Sequence, residues 1–283
     1  MSNLSQSNGK HISFEVFPPK KEGNFLTAFE VVKELSTLSP DFISVTYGAG
    51  GSQSKKTLEI ASYIENEIHI PAVAHLTCVG STKEEIYKRC KEFKENNINR
   101  VLALRGDRPE NMTDEQYNSR EFIYASDLIK FIKDNFDFEI IGACYPEKHF
   151  EALSIEEDLK YMKQKQDLGT ECFISQLFFE NKYFYDFIDK GKKIGINVPV
   201  YAGIMPITSA KQIGTTVSLS GSSVPKKLSD LIARYGDNPD DMYKAGIDYA
   251  IWQIRDLMEN GAEGIHIYTM NKPHSARTIM EAI

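Results

Sequence analysis

The chain has 283 residues, and 41% hydrophobic and 11% aromatic residues are enough for a sizeable globular core. Its net charge of −7 argues against a nucleic-acid-binding surface, because binding to a phosphate backbone relies on clustered Lys and Arg. Residues 1–11 are polar and no stretch approaches the roughly 18 apolar residues of a membrane span. These features predict a flexible segment over 1–11 and a cytoplasmic protein with small-molecule partners, no nucleic acid and no membrane.

Short apolar runs alternate with segments of helical periodicity along the whole chain. Phe25, Phe29, Val32 and Leu35 mark the first helical segment. Such alternation predicts parallel strands joined by helical crossovers, and eight units favour an α/β fold, a single-domain (βα)₈ TIM barrel over 1–283, rather than an open sheet. The predicted strands are 12–17, 42–47, 72–76, 100–104, 140–144, 172–178, 198–202 and 264–268.

The first predicted strand contains a carboxylate. Side chains alternate across a strand, so Phe14 and Val16 share one face and Glu15 lies on the other. The two prolines at 18 and 19 cannot continue a central strand, which places Glu15 near the carboxyl end. Active sites of these barrels lie at that end, so Glu15 is a candidate catalytic residue.

Three glycines follow the second strand within residues 48–51. Their backbone freedom could let amide groups approach a phosphate or a ring. A tight turn with a purely structural role accounts for them equally well.

Ionisable residues cluster at the ends of the third and fourth strands. The third ends near His75, and Arg105, Gly106 and Asp107 follow the fourth. A hydrogen-bonded core histidine and a simple turn are the ordinary interpretations. Three of the first four strands nevertheless finish on or beside an ionisable side chain, which packing does not require, and this pattern predicts a concave site.

The cysteines give no sign of a metal centre or disulfide framework. The four of them, which include Cys78, form no CxxC pair, and His75 with Cys78 has no second pair to complete a tetrahedral set. We expect reduced, mostly buried thiols and no metal.

The fifth and sixth strands add further polar groups. Tyr145 and His149 follow the fifth strand, and Asp158 and Lys165, seven residues apart, share one face of the next helix. Gln176 interrupts the apolar sixth strand. Its amide suits recognition of a heterocycle with donors and acceptors, and a satisfied core amide is the alternative.

The connection into the last strand is longer than the others. Its pattern predicts a short helix from Ser209, a polar loop over 218–223, a helix near Pro225 and a long helix over 239–260. No linker rich in Pro, Gly or Ser divides the chain, which favours one domain.

Seven motifs at strand ends resemble, in order, those of the methylenetetrahydrofolate reductase family. The resemblance spans nearly the whole chain, and the length is similar to the short bacterial type, a catalytic barrel without a regulatory domain. The motifs are Ser13-Phe14-Glu15-Val16-Phe17-Pro18-Pro19, Val45-Thr46-Tyr47-Gly48-Ala49, Ala74-His75-Leu76-Thr77-Cys78, Leu104-Arg105-Gly106-Asp107, Tyr145-Pro146-Glu147 with His149, Gln176-Leu177-Phe178-Phe179 and Tyr268-Thr269-Met270-Asn271.

This resemblance implies an FAD enzyme that reduces 5,10-methylenetetrahydrofolate to 5-methyltetrahydrofolate in one-carbon metabolism and methionine biosynthesis. NADH or NADPH delivers a hydride to the flavin and leaves, and the folate then takes its place. It implies that Glu15 is the general acid that protonates N10 and that Asp107 stays ionised to stabilise a cationic intermediate. The choice of nucleotide and a homo-oligomeric state stay open.

The resemblance also implies binding residues. Folate contacts are implied for Glu15, Asp107, Gln176, Tyr268 and Lys272. Cofactor contacts are implied for Thr46, His75, Arg105, Gly106, Asp107, Tyr124, Ala125, Ala143, Tyr145, His149, Asp158 and Lys165.

Four positions depart from the family pattern. Ala210 stands where well-known members carry a phenylalanine that stacks on the substrates, and Tyr161 and Gln164 replace an asparagine and an arginine near FAD. Lys272 replaces an arginine, which keeps the charge without the planar fork.

Two other functions compete with this one. A cofactor-free barrel lyase or aldolase could use Glu15 and Asp107 as acid and base. A flavin- or folate-binding regulatory subunit would retain ligand without turnover. A flavin enzyme is yellow when purified and the lyase is colourless.

Overall fold

A computed structural model describes residues 11–19, 25–47 and 51–283, with backbone only for 51–54. Eight parallel strands close into a barrel in chain order, with β1 paired to both β2 and β8, which confirms the predicted fold class. The strands are β1 His11–Val16, β2 Phe42–Val45, β3 Ala72–Thr77, β4 Arg100–Leu104, β5 Glu139–Cys144, β6 Thr170–Ser175, β7 Val200–Ile204 and β8 Gly264–Tyr268.

Some strand boundaries differ from the prediction because pairing with neighbouring strands sets them. The first strand begins at His11, which pairs with Gly264, so the expected flexible segment does not include residue 11, and residues 1–10 lie outside the described part. The predicted sixth strand is wrong beyond Ser175, and the seventh lies two residues later than predicted, at Val200–Ile204.

Helices follow every strand, and most of them bury apolar side chains against neighbouring elements. They are α1 Phe25–Ser36, α2 Gly51–Tyr63, α3 Lys83–Glu95, α4 Asp114–Asn118, α5 Ala125–Asn135, α6 Ile155–Asp167, α7 Asn181–Lys193, α8 Ala210–Ser220, α9 Lys226–Tyr235, α10 Pro239–Glu259 and α11 Pro273–Met280. A π-helical turn, Ile64–Ile68, continues α2. None of the helices in the described ranges is long and apolar enough to cross a membrane.

Two predictions about loops are revised by these boundaries. The polar loop predicted over 218–223 is shorter, because α8 continues to Ser220 and ends at Gly221 in the left-handed conformation, φ 71°. Of the glycine-rich segment, residues 48–50 lie outside the described residues and Gly51 begins α2.

The core has an outer and an inner part. Phe14 and Val16 pack outward with the helices, as alternation along β1 predicts. Seven buried side chains form a cluster inside the barrel: Phe42, Val73, Leu102, Ile141, Cys172, Ile174 and Tyr201. Above them the interior becomes polar, and Glu15 therefore reaches a polar interior near the carboxyl ends of the strands.

All four cysteines are unpaired and buried, as expected. Burial raises the pKa of Cys78 and of Cys90 to about 12, so both thiols stay protonated at neutral pH.

Candidate active site

Two cavities open at the carboxyl ends of the strands. The first, here called the cleft, measures about 260 Å³ and lies between the ends of β4 and β5 and helices α5 and α6. The second, the Glu15 cavity, measures about 450 Å³ and lies at the ends of β1, β6, β7 and β8. The cleft is lined by Ala103, Leu104, Arg105, Tyr124, Ala125, Ser126, Ala143, Tyr145, His149, Glu151, Ala152, Leu153, Glu157, Asp158, Tyr161 and Lys165. The Glu15 cavity is lined by Glu15, Gln176, Leu177, Met205, Gln212, Thr215, Thr216, Leu219, Ser220, Tyr268 and Met270.

The cleft brings together most residues that the sequence suggests for a cofactor. Four of the suggested residues do not line it, namely Thr46, His75, Gly106 and Asp107. The eight that do are Arg105, Tyr124, Ala125, Ala143, Tyr145, His149, Asp158 and Lys165.

Helix α6 delivers one acid and one base to the cleft wall. Asp158 accepts a hydrogen bond from the backbone N–H of His149 at 2.8 Å, and Lys165 donates to the carbonyl oxygen of Ala143. Burial raises the pKa of Asp158 and lowers that of Lys165, because each charged form loses water. The shared helix face predicted from their spacing is therefore the face that meets the cleft.

An ion pair that the sequence did not reveal fixes the other wall. The guanidinium of Arg105 binds both carboxylate oxygens of Glu151, with Nη2 to Oε1 at 2.9 Å. This hydrogen bonding raises the pKa of Arg105 and lowers that of Glu151. Glu151 lies in an irregular loop 46 residues away, where no periodicity marks it.

Two tyrosines stand together at the cleft. Tyr124 precedes α5 and Tyr161 lies on α6, with ring centroids 6.1 Å apart and planes inclined by 23°. Both rings are exposed, by 51% and 44%. Tyr161, a departure from the family pattern, thus supplies an aromatic surface that the sequence did not assign.

The turn after β4 requires glycine. Gly106 has φ 83°, and a Cβ there would lie 2.9 Å from Cβ of Thr77. The turn directs Asp107 into solvent, and Asp107 lines neither cavity. The predicted roles of Asp107 therefore lack a direct cavity contact.

Three predicted substrate residues meet in the Glu15 cavity. Glu15, Gln176 and Tyr268 line it together, whereas Lys272 does not and instead donates to Oγ1 of Thr208 at 3.0 Å. The Tyr268 hydroxyl donates to the Ser175 carbonyl at 2.7 Å. Burial, with the nearby charge of Glu15, raises the pKa of Tyr268, so this phenol is a fixed donor rather than an acid.

The carboxylate of Glu15 faces a histidine from another strand. Its Oε2 lies 3.4 Å from Nε2 of His75, a buried nitrogen with no hydrogen-bond partner within the described ranges. Burial lowers the pKa of His75 to about 4, against the opposing effect of Glu15, so its imidazole is neutral at pH 7. The structure therefore places His75 beside the candidate acid rather than in the cleft wall.

The loop after β8 holds the end of β1. Thr269 Oγ1 donates to the carbonyl of Glu15 at 2.6 Å, and the Asn271 side chain both accepts from Phe17 N at 3.0 Å and donates to Phe17 O at 2.8 Å. Met270 and Asn271 adopt positive φ of 52° and 53° to make this turn. The backbone that carries the Glu15 carboxylate is thus fixed by the loop after β8.

An exposed leucine is one of the apolar residues that line the Glu15 cavity. Leu219 lies in the last turn of α8 and is 80% exposed, while Ala210 begins that helix and does not line the cavity. Just beyond, Ser222 Oγ donates to Leu177 O at 2.7 Å and Ser223 N donates to Glu147 Oε2 at 3.0 Å. These bonds fix the segment that follows Leu219. Sequence inspection missed this residue because one exposed helical leucine carries no signal.

A family model described as methylenetetrahydrofolate reductase matches residues 1–283. The chain belongs to the methylenetetrahydrofolate reductase family. The 5,10-methylenetetrahydrofolate reductase of Escherichia coli is 30% identical to it over 99% of this chain and 93% of that protein. Methylenetetrahydrofolate reductase (NADH) 1 of Arabidopsis thaliana is 32% identical over 99% of this chain. The chain spans 49% of the plant protein.

A solved structure shares the fold of this reductase-family chain. An uncharacterised Clostridium thermocellum protein, described as binding two copies of 5-methyl-5,6,7,8-tetrahydrofolic acid, superposes with a TM-score of 0.66 at 18% identity. The match covers 96% of this chain and 93% of that one. At this identity the likeness supports the barrel alone.

Proposed function

We propose that this chain reduces 5,10-methylenetetrahydrofolate to 5-methyltetrahydrofolate, with NADH or NADPH as donor and FAD as carrier, in a ping-pong sequence. The family match over the whole chain supports the reaction. One observation supports the location of the active site. Glu15, Gln176 and Tyr268 come from three separate strand ends and line one cavity.

The cleft fits FAD. Arg105, His149 and Lys165 offer donors to a pyrophosphate, and Ala125 and Ser126 lie at the amino end of α5, where backbone N–H groups favour anions. The exposed rings of Tyr124 and Tyr161 offer a surface for a flat heterocycle. The unpartnered Nε2 of His75 offers one more polar atom near the barrel axis. When bound, FAD supplies hydride transfer between the nicotinamide and the folate.

Glu15 then acts on the substrate as a general acid. The bridging methylene of the folate accepts hydride poorly until its bond to N10 breaks. Glu15 donates its proton to N10, the bonding electrons stay on N10, and the methylene becomes an iminium on N5 that hydride converts to methyl. The site suits this because Glu15 lines the cavity and is only 18% exposed, so the proton reaches substrate ahead of bulk water.

The remaining residues orient the substrate. Gln176 accepts from Leu177 N at 2.9 Å through Oε1, which fixes its amide for recognition of the pterin. Lys272, held near the rim by Thr208, suits the carboxylates of the folate tail. Asp107 lines neither cavity, and we assign it a role through its charge alone. Burial chiefly raises the pKa of Tyr145 in the cleft wall, and the charge of Asp107 adds a small part to that rise.

Anaerobic stopped-flow on the purified protein tests the proposal. We expect a yellow protein whose flavin is bleached by NADH or NADPH, and whose reduced flavin is reoxidised by methylenetetrahydrofolate in a separate mixing experiment. A colourless protein that cleaves a carbon–carbon bond would support the lyase. A flavin that neither reaction changes would support a binding subunit.

A further inference from the structure

A second histidine lies inside the barrel beneath Glu15. His266 on β8 is fully buried, and its Nδ1 forms a 2.7 Å hydrogen bond with Oγ of Ser13. Its Nε2 lies 3.4 Å from Oγ of Ser44 and 3.8 Å from Oε2 of Glu15. Neither His266 nor Ser13 lines the cleft or the Glu15 cavity, and the reaction as proposed above uses neither.

Both imidazoles approach the same oxygen of the candidate acid. Oε2 of Glu15 is the atom near His75 Nε2, at 3.4 Å, and near His266 Nε2, at 3.8 Å. The same carboxylate oxygen is therefore approached by one imidazole from β3 and one from β8.

The orientation of the His266 ring is fixed on every side. Ser13 and His266 are opposite each other in the β1–β8 register, so their hydrogen bond follows from the strand pairing. The ring stacks on Phe42 at 5.8 Å and meets Tyr268 edge-on at 5.3 Å. A ring held in this way cannot turn its Nε2 away from Glu15 without breaking the bond to Ser13.

We propose that His266, held by Ser13, is a positioning residue that orients the carboxyl group of Glu15 for proton delivery. A movement of about 1 Å brings Nε2 within hydrogen-bond distance of Oε2. The Ser13 hydroxyl has one hydrogen, and its two acceptors are Nδ1 of His266 at 2.7 Å and the Ile265 carbonyl oxygen at 3.3 Å. In the tautomer in which Ser13 donates to Nδ1, the Nε2–H donates to the carboxylate that remains after Glu15 has lost its proton. The titratable groups that face this carboxyl are His75, His266 and Tyr268.

The inference rests on the proposed function and can be tested with two amide substitutions. In His266→Gln the side-chain NH₂ reaches the place of Nε2 and keeps a donor for Glu15. In His266→Asn the shorter amide reaches only the place of Nδ1. It keeps a hydrogen-bond partner for Ser13 and removes the donor for Glu15. Both variants are polar and buried, so packing and folding costs are closely matched.

We would measure three quantities on each holoenzyme: flavin reduction by NADH, flavin reoxidation by methylenetetrahydrofolate, and the solvent deuterium isotope effect on reoxidation. We expect reoxidation to fall about 10–100-fold in His266→Asn, the scale of a catalytic group misplaced by about 1 Å, and its isotope effect to rise. We expect His266→Gln to recover most of that loss, and both variants to keep the wild-type rate of flavin reduction. Ser13→Ala, which frees the ring, should show a smaller loss of the same kind.

Other results would overturn the inference. Equal losses in the Gln and Asn variants, or parallel losses in both half-reactions, would show that His266 only supports packing. An unchanged reoxidation rate in His266→Asn would show that Glu15 needs no such support. If the wild-type flavin were not reoxidised by the folate at all, the proposed function itself would fail, and the variants would not be needed to show it.

Discussion

The cleft and the Glu15 cavity lie at the same end of one barrel and are built differently. In the cleft, charged side chains are already engaged with protein groups: Arg105 with Glu151, Asp158 with His149 and Lys165 with Ala143. In the Glu15 cavity, one carboxylate lies among apolar and neutral polar side chains.

This difference suits the cleft to binding a large charged molecule and the Glu15 cavity to proton transfer. A cleft with several paired charges can bind a large charged molecule without a large reorganisation, because its polar groups are already in place. A carboxyl group that lines an otherwise uncharged cavity can meet a bound substrate directly, as a general acid must. Mutations in the two regions should therefore fail in different ways.

The largest expected effect comes from Glu15→Gln. Loss of the proton should slow reoxidation of the flavin by methylenetetrahydrofolate by at least about 10²–10⁴-fold, the scale of general acid catalysis. Flavin content and reduction by NAD(P)H should stay near wild type, because the cleft is untouched. Stopped-flow of the two half-reactions measures both. Equal loss of both would make Glu15 a structural residue and remove the contrast between the regions.

Gly203→Ala should disrupt the Glu15 cavity through the backbone. A Cβ there would lie 2.2 Å from the Ser175 carbonyl oxygen and 2.8 Å from the Tyr268 ring. We expect the free energy of unfolding to fall by more than about 3 kcal/mol, since a clash with backbone cannot relax through a rotamer change. Urea denaturation measures it. Gly214→Ala on exposed α8, where nothing lies within 4 Å, is the matched control and should stabilise slightly.

His75 should make stability depend on pH. Its pKa is about 4 in the folded protein and 6.5 as the ordinary value, so the unfolded chain binds more protons between these limits. Stability is therefore lost as the pH falls from 6.5 to 4, by about 3 kcal/mol from this residue. Urea denaturation of wild type and His75→Gln at several pH values would show a flatter profile in the variant. Parallel profiles would mean that His75 is protonated when buried.

Tyr161→Asn tests the cleft alone. Loss of one aromatic face should weaken binding of FAD to the apoprotein roughly tenfold, within the range for stacking on an aromatic side chain. The rates of reoxidation at saturating FAD should not change. Flavin fluorescence titration gives the dissociation constant. Tyr183→Asn, a 40%-exposed tyrosine on α7 outside both cavities, is the control, and equal weakening in that variant would contradict a specific role for Tyr161.

The smallest effect is expected for Leu219→Ala. Removal of an apolar wall should raise the apparent KM for the folate several-fold, on the scale of about 1 kcal/mol for partial burial of a leucine, and leave FAD affinity unchanged. Steady-state kinetics with NADH at saturation measures it. Leu26→Ala, a 75%-exposed leucine on α1 that lines neither cavity, provides the comparison. An unchanged KM would mean that the folate does not reach α8.

Much of the site could be predicted because strand ends are marked in the sequence. Glu15 is followed closely by two prolines, and Gln176 interrupts an apolar run. The sequence alone therefore places both residues at one rim of the barrel. Asp158 and Lys165 could be placed on one helix face because their spacing fits the helical period. Thr46 and Asp107 also follow strands in the sequence, and the same argument places them at this rim. Neither residue lines the cleft or the Glu15 cavity.

The sequence by itself determined the alternation of strands and helices, the closure of eight units into a barrel and the side of β1 that carries Glu15, because hydrophobic periodicity is a local property. Only the tertiary structure decided that Ser13 and His266, 253 positions apart, meet beneath that carboxyl group, and that Arg105 pairs with Glu151 in the cleft. Barrel closure sets those distances. A contact between β1 and β8 depends on the register of all the strands between them, which no local pattern encodes.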